Sequence, residues 1–259
     1  MISVANQKGG VGKTTTAINL GTALAAVKNR VLIVDLDAQG NASTGLGVSK
    51  EDIELSTYDL IVGKASLEEV VQKTKIPSLF IAPSTTDLSS VDVDLVNDSR
   101  RVMKLSELFH SKEKIEYDFV IIDCPPSLNL LTVNAMVASN SVLVPLQTEF
   151  FALEGLSQLL LTVRDIRAKI NKNLKIHGIV LTMYDKRNKL SEQIESDVRD
   201  NLGALVYDTV IPRNVRLSEA PSFSMPALIY DHKCTGAIAY QRLAAELLKR
   251  EYDFKRQSK

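Results

Sequence analysis

Cysteine is scarce in this chain of 259 residues: only Cys124 and Cys234 occur. Their separation matches no common zinc spacing, and no histidine stands near either at ligand spacing, which argues against a metal site and predicts two reduced thiols. Net charge is lacking too. Lysine plus arginine equals aspartate plus glutamate, at 31 each, so any contact with nucleic acid must come from a local basic patch. No apolar run is long enough to span a bilayer. Met1 leads into a strand-like run and not into a secretion signal, so a cytoplasmic protein is expected. Apolar residues at 45% and charged residues at 24% are ordinary for a globular chain, and the length is sufficient for a real core.

Strand-like and helix-like segments alternate from end to end. Met1 to Asn6 reads as a short strand, and a helix is expected from about Thr14 to Lys28, with Ala17, Leu20, Gly21, Leu24 and Ala25 on one face. Arg30 to Asp35 is a second strand, apolar without alternation, as suits a parallel sheet covered on both faces. Further buried strands are expected at 79–82, 119–122, 142–144, 176–181 and 206–210. The longest helix is expected at 153–170, with Leu156, Leu160, Val163, Ile166 and Ile170 on one face, and the last at 237–249. No linker, repeat or composition break appears. The expectation is an α/β fold with a single doubly wound, mainly parallel sheet and helices on both faces, one domain over residues 1–259.

Between the first strand and helix lies Lys8-Gly9-Gly10-Val11-Gly12-Lys13-Thr14-Thr15. A strand, a glycine-rich turn and a helix N-terminus make an anion site, because backbone N–H groups point inward and the helix end is positive. Lys13 can reach the β- and γ-phosphates of a nucleotide, and the Thr14 hydroxyl is placed to ligate Mg²⁺. The common phosphate loop would have its first glycine at position 7, where this chain has Gln7, and an added lysine, Lys8, follows. That is the deviant Walker A form. Asp123 ends an apolar strand at the position where a carboxylate holds Mg²⁺ opposite Thr14. Asp35 and Asp37 both fall at the end of the second strand and are expected to point in opposite directions.

On the blocks Asn6 to Thr16, Asp35 to Thr44, Phe119 to Ser127, Val144 to Glu149 and Ile211 to Ser222, the sequence resembles the ParA/Soj branch of the deviant-Walker-A ATPases, a superfamily that includes MinD and the nitrogenase iron protein. The resemblance covers nearly the whole chain, and the last block is the most specific to this branch. It implies ATP and Mg²⁺ as cofactors and ATP hydrolysis as the activity, with Asp37 orienting the attacking water. It implies that Lys8 crosses a dimer interface to the partner's ATP, so that ATP gives a homodimer and ADP favours the monomer. It places Gly9 and Gly10 near the dimer axis and the base beside Pro212 and Asn214, with Met183 either packed on the purine or in the core. It implies nonspecific binding to double-stranded DNA, with Arg187 and Arg216 as the best positional matches, and a ParB/Spo0J-type partner that stimulates hydrolysis.

Other cations, Arg164, Arg167, Lys169, Lys172 and Lys175, then Lys186 and Lys189, extend the expected basic surface. Ser224-Met225 departs from the Gly-Lys often found in the family, which removes one phosphate contact. A MinD-like membrane anchor would need an amphipathic C-terminal helix, and the tail 250–259 is mixed in charge and poorly apolar, so no stable membrane binding is expected. A ParA-like ATPase positioning another cargo is the alternative. Chromosome or plasmid partitioning in the cytoplasm, at the nucleoid, is the function the resemblance implies.

Overall fold

A computed structural model describes residues 1–110, 116–149 and 152–257, without the side chains of residues 255 and 257. The strands are β1 (Ile2–Val4), β2 (Val31–Asp35), β3 (Gln72–Lys73), β4 (Leu79–Ala82), β5 (Phe119–Asp123), β6 (Ser141–Gln147) and β7 (Lys175–Thr182). They form a seven-stranded sheet in the order β3-β4-β2-β5-β1-β6-β7. Neighbours are parallel except at one edge, where β3 runs antiparallel to β4.

The helices are α1 (Lys13–Ala26), α2 (Asn41–Gly45), α3 (Thr57–Val62), α4 (Leu67–Val70), α5 (Val91–Asp94) and α6 (Lys104–Phe109). They continue with α7 (Leu130–Ala138), α8 (Ala152–Lys169), α9 (Lys189–Leu202), α10 (Val215–Glu219), α11 (Ala227–Tyr230) and α12 (Thr235–Gln257).

Strand residues alternate between two cores. Val31 and Ile33 of β2 and Ile121 of β5 face α1 and α12, which contribute Leu20, Leu24, Tyr240 and Leu243. Leu32, Val34, Val120 and Ile122 face the opposite layer, where α7 and α8 supply Met136, Leu156 and Leu159. Because both faces are covered, both sets of alternating residues must be apolar, and the strands read as continuous apolar runs. In α8 the structure buries Leu159 where the periodicity pointed to Leu160, and Ile170 lies beyond the helix, 40% exposed.

Two edges of the sheet differ from expectation. Residues 206–210 form no strand: only Val206 makes a bridge, to Ile179. Tyr207 still donates its N–H to the Ile179 carbonyl of β7 at 2.9 Å, and helix α12 serves groups that no further strand pairs. Glu246 accepts the N–H groups of Asp208 and Thr209, while Arg250 donates to the carbonyls of Ala204 and Val206. Backbone groups satisfied by side chains need no neighbouring strand. Strand β3 is too short and too exposed to leave an apolar signature. Helix α12 itself runs well past Lys249, because its charged end is still in contact with the sheet: Glu251 accepts from His177 Nε2 at 3.1 Å, and the Phe254 ring packs edge-on to His177. Gly178 of β7 makes room for this junction, since a Cβ there would lie 2.5 Å from the Tyr207 ring. Residues 258 and 259 of the tail lie outside the described residues.

Candidate nucleotide-binding site

The glycine loop joins the C-terminal end of β1 to the N-terminus of α1, at the centre of the sheet. Gly10 and Gly12 have φ values of +76° and +87°, a backbone region that other residues rarely adopt, so these glycines are required by the turn itself. Gly9 is different. A Cβ there would meet only Pro126 Cβ, at an ordinary 3.7 Å, so nothing within this subunit demands glycine at that position.

The loop is held from several sides by groups of its own chain. Asn6 donates to the Pro145 carbonyl at 2.7 Å and accepts the Lys8 N–H at 3.0 Å. Thr182 at the end of β7 donates to the Val11 carbonyl at 2.9 Å. Gly12 caps α1 and provides no side-chain acceptor, so the first N–H groups of the helix are left to an external anion.

The loop's two lysines have opposite surroundings. Lys13 is 6% exposed and its Nζ donates to the Lys8 carbonyl at 2.9 Å. Burial holds its pKa below the usual lysine value, with Asp123 opposing that shift. The Lys8 side chain is 44% exposed and pairs with Glu149 of the same chain.

Asp123 ends β5 beside Thr14 and Lys13. It is fully buried and neither carboxylate oxygen has a hydrogen-bond partner of ordinary geometry. Burial pushes its pKa well above the carboxylate range, and the neighbouring Asp35 pushes it further, while Thr14 and Lys13 oppose. An uncompensated buried carboxylate is costly, and such an orphan calls for a partner. With Thr14 beside it, Asp123 suits Mg²⁺, which takes few protein ligands and completes its shell with phosphate and water. Among the described residues no cluster of His, Cys, Asp or Glu could hold a metal alone. Cys124 next to it is buried, which raises its thiol pKa.

Asp35 pairs in register with Asp123 on the neighbouring strand. It too is fully buried, and burial raises its pKa to about 6 against the lowering effect of its Ser43 hydrogen bonds. Strand β2 ends at Asp35, and Asp37 stands in the following loop, half-buried, its Oδ1 accepting the Gln39 N–H at 3.0 Å. The two aspartates therefore differ in surroundings because the strand ends between them. Strand alternation does not separate them, since its period of two would place both on one side.

Next to the loop is a cavity of about 410 Å³, lined among others by Gly12, Thr15, Thr182, Met183, Pro212 and Asn214. Met183 is not a core residue. It is 37% exposed and adopts φ +51°. Asn214 caps α10 by accepting the Arg216 N–H at 2.9 Å and donates to Thr235 at 2.8 Å.

The two arginines singled out for DNA are exposed but not free. Arg187 makes a forked pair with Asp185, at 3.0 and 2.8 Å. Arg216 pairs with Glu219 at 2.8 Å and Asp231 at 3.6 Å. Sequence reasoning did not foresee these acidic partners, nor Glu149 on Lys8. Only the i,i+3 spacing of Arg216 and Glu219 was a readable signal.

Residues 1–176 match a family model described as an AAA domain. The chain is 54% identical to a chromosome partitioning protein ParA of Caulobacter vibrioides over 254 residues, covering 98% of this chain and 95% of that one. It is 47% identical to the sporulation initiation inhibitor protein Soj of Bacillus subtilis, covering 95% and 97%. Among solved structures, a cobyrinic acid a,c-diamide synthase of Mycobacterium smegmatis with bound ADP and magnesium superposes with a TM-score of 0.85 at 35% identity, covering 97% of this chain and 94% of that one. The deviant loop, the strand-end aspartates and this extent of identity establish that the chain belongs to the ParA/Soj family of chromosome-partitioning ATPases.

Proposed function

We propose that this protein, acting as one domain over residues 1–259, is an ATP-dependent dimerising switch. It binds DNA nonspecifically and hydrolyses ATP to drive chromosome or plasmid partitioning with a ParB-type partner. The observation that carries the reading is the contrast between the loop's lysines: Lys13 is buried where its own subunit's phosphates would lie, and Lys8 is presented outward. A cation supplied across an interface screens triphosphate charge and makes assembly depend on the nucleotide. The greater identity to ParA than to the diamide synthase, 54% against 35%, favours partitioning over small-molecule amidation.

In this reading Lys13 and the N–H groups of Gly9, Gly10, Val11, Gly12, Thr14 and Thr15 hold the phosphates. Thr14 and Asp123 hold Mg²⁺, which when bound neutralises charge on the phosphates. Asp37 orients the attacking water, a task that needs placement more than basicity. Met183, Pro212 and Asn214 line the side of the cavity where the base would sit. Gly9 has room for a Cβ within one subunit, so its glycine is accounted for by the close approach of phosphate or of a second subunit.

Arg187 and Arg216 would exchange their acidic partners for DNA phosphates, and a dimer would present the pair twice, coupling DNA affinity to ATP through avidity. The protein would then reside on the nucleoid in its ATP state. The test is fluorescence anisotropy on an arbitrary duplex in ATP and Mg²⁺. Arg187→Ala/Arg216→Ala is expected to weaken binding roughly tenfold or more at moderate salt and to flatten the salt dependence. Unchanged affinity in the double variant would contradict this surface.

A further inference from the structure

Asp37 has no regular secondary structure to hold it, yet its backbone is fixed on both sides. Its N–H donates to Asp35 Oδ1 at 3.2 Å, and its carbonyl accepts the Ser84 hydroxyl at 2.5 Å and the Gly40 N–H at 2.9 Å. Asp35 and Ser84 are joined through Ser43. The Ser43 N–H and hydroxyl donate to Asp35 Oδ2 at 2.9 and 2.8 Å, and Ser43 Oγ accepts the Ser84 N–H at 3.1 Å. The linked groups come from the end of β2, from α2 and from the loop after β4. All are sealed from water: Asp35 is 0%, Ser43 1% and Ser84 1% exposed.

The closure is tight, since a Cβ on Gly40 would stand 3.3 Å from the Ser84 carbonyl. A buried carboxylate beside a second one, Asp123, is a poor choice for packing alone. Here both oxygens of Asp35 face donors, a requirement that only an acceptor without N–H groups meets.

We propose that Asp35, Ser43 and Ser84 form a clamp that sets the position of Asp37, making them positioning residues for ATP hydrolysis. The inference rests on the reading of Asp37 as the water-orienting group. A misplacement of about an ångström in such a group costs up to about a hundredfold in rate. Asp35 also borders Asp123, but the Ser43 and Ser84 side chains bond to none of the groups assigned to phosphate or Mg²⁺, so loss of either serine falls on the chemical step and leaves ATP affinity in place.

The test is single-turnover hydrolysis by the full chain, in excess over ATP with Mg²⁺ and followed over hours. It is run on Ser84→Ala and Ser43→Ala, each alone and combined with Asp37→Ala. Each serine variant is expected to slow hydrolysis roughly tenfold or more in the wild-type background, with affinity for a fluorescent ATP analogue changed less than about threefold. In the Asp37→Ala background neither should slow it further. Amide exchange across residues 36–43, read by mass spectrometry, should quicken in both serine variants while α1 keeps its protection. Rates within about twofold of wild type would overturn the clamp, as would equal slowing with and without Asp37, or unchanged exchange across that segment. Normal hydrolysis by Asp37→Ala alone would instead remove the reading of Asp37, a distinct result.

Discussion

Asp37→Ala is expected to slow ATP hydrolysis by on the order of a hundredfold or more while changing ATP affinity by less than about threefold. Removing a group that acts only on the attacking water lowers turnover without touching ground-state binding. The structure supports that separation. The phosphate loop is held by Asn6, Thr182 and the α1 N-terminus, none of which depends on the Asp37 carboxylate. Asp37 is half-buried at the surface of its loop and its side chain accepts only a local N–H in the described structure, so alanine there leaves the core intact. Phosphate release under single-turnover conditions, beside nucleotide titration, checks both halves. Near-normal release would remove Asp37 from the chemistry.

Asp123→Asn is expected to move stability and function in opposite directions. The carboxylate is buried, orphaned and beside Asp35, so in protein melted without nucleotide a neutral amide should stabilise the fold by about 1–3 kcal/mol, a rise of several degrees in Tm. The pH dependence follows from the raised pKa. An acid that binds its proton more tightly in the folded state contributes stability at low pH. That stability is lost as pH rises from the ordinary carboxylate value of about 3.9 through the raised one.

Asp35 acts in the same sense, with its loss complete above about 6. The advantage of Asp123→Asn should therefore be larger at pH 8 than at pH 5. In the same variant the stabilisation by ATP with Mg²⁺, and the hydrolysis, should fall by on the order of a hundredfold in effective affinity or rate. Thermal melts with and without nucleotide and Mg²⁺ at both pH values decide it. An unchanged apo Tm together with a retained Mg²⁺ shift would contradict the role of Asp123.

What could be read in advance divides along the distance between interacting residues. Gly10 and Gly12 announce their turn because the backbone conformation is a property of one residue, and Lys13 and Thr14 follow at fixed spacing. The strands of the central sheet are readable because burial on both faces leaves no polar alternation. Residues 206–210 misled for the same reason: their composition suits a strand, but contact with β7 is confined to Val206 and Tyr207, and Glu246 and Arg250, from a helix some forty residues on, take up the Asp208 and Thr209 N–H groups and the Val206 carbonyl. Asp35 was readable as a structural group or a partner supporting Asp37, two residues away, but the roles of Ser43 and Ser84 were illegible because the link between them spans 41 residues. The ion pairs on Lys8, Arg187 and Arg216 change the meaning of an apparent basic patch, since each cation already has an acidic neighbour to exchange.

As half of a two-subunit switch, the phosphate loop should make assembly follow the nucleotide. The most direct test is sedimentation velocity of Asp37→Ala with Mg²⁺ and either ATP or ADP. A dimer is expected in ATP, a monomer in ADP, and return to the monomer in ATP when Lys8→Ala is added. A monomer in both nucleotides, or a dimer that ignores Lys8, would contradict it.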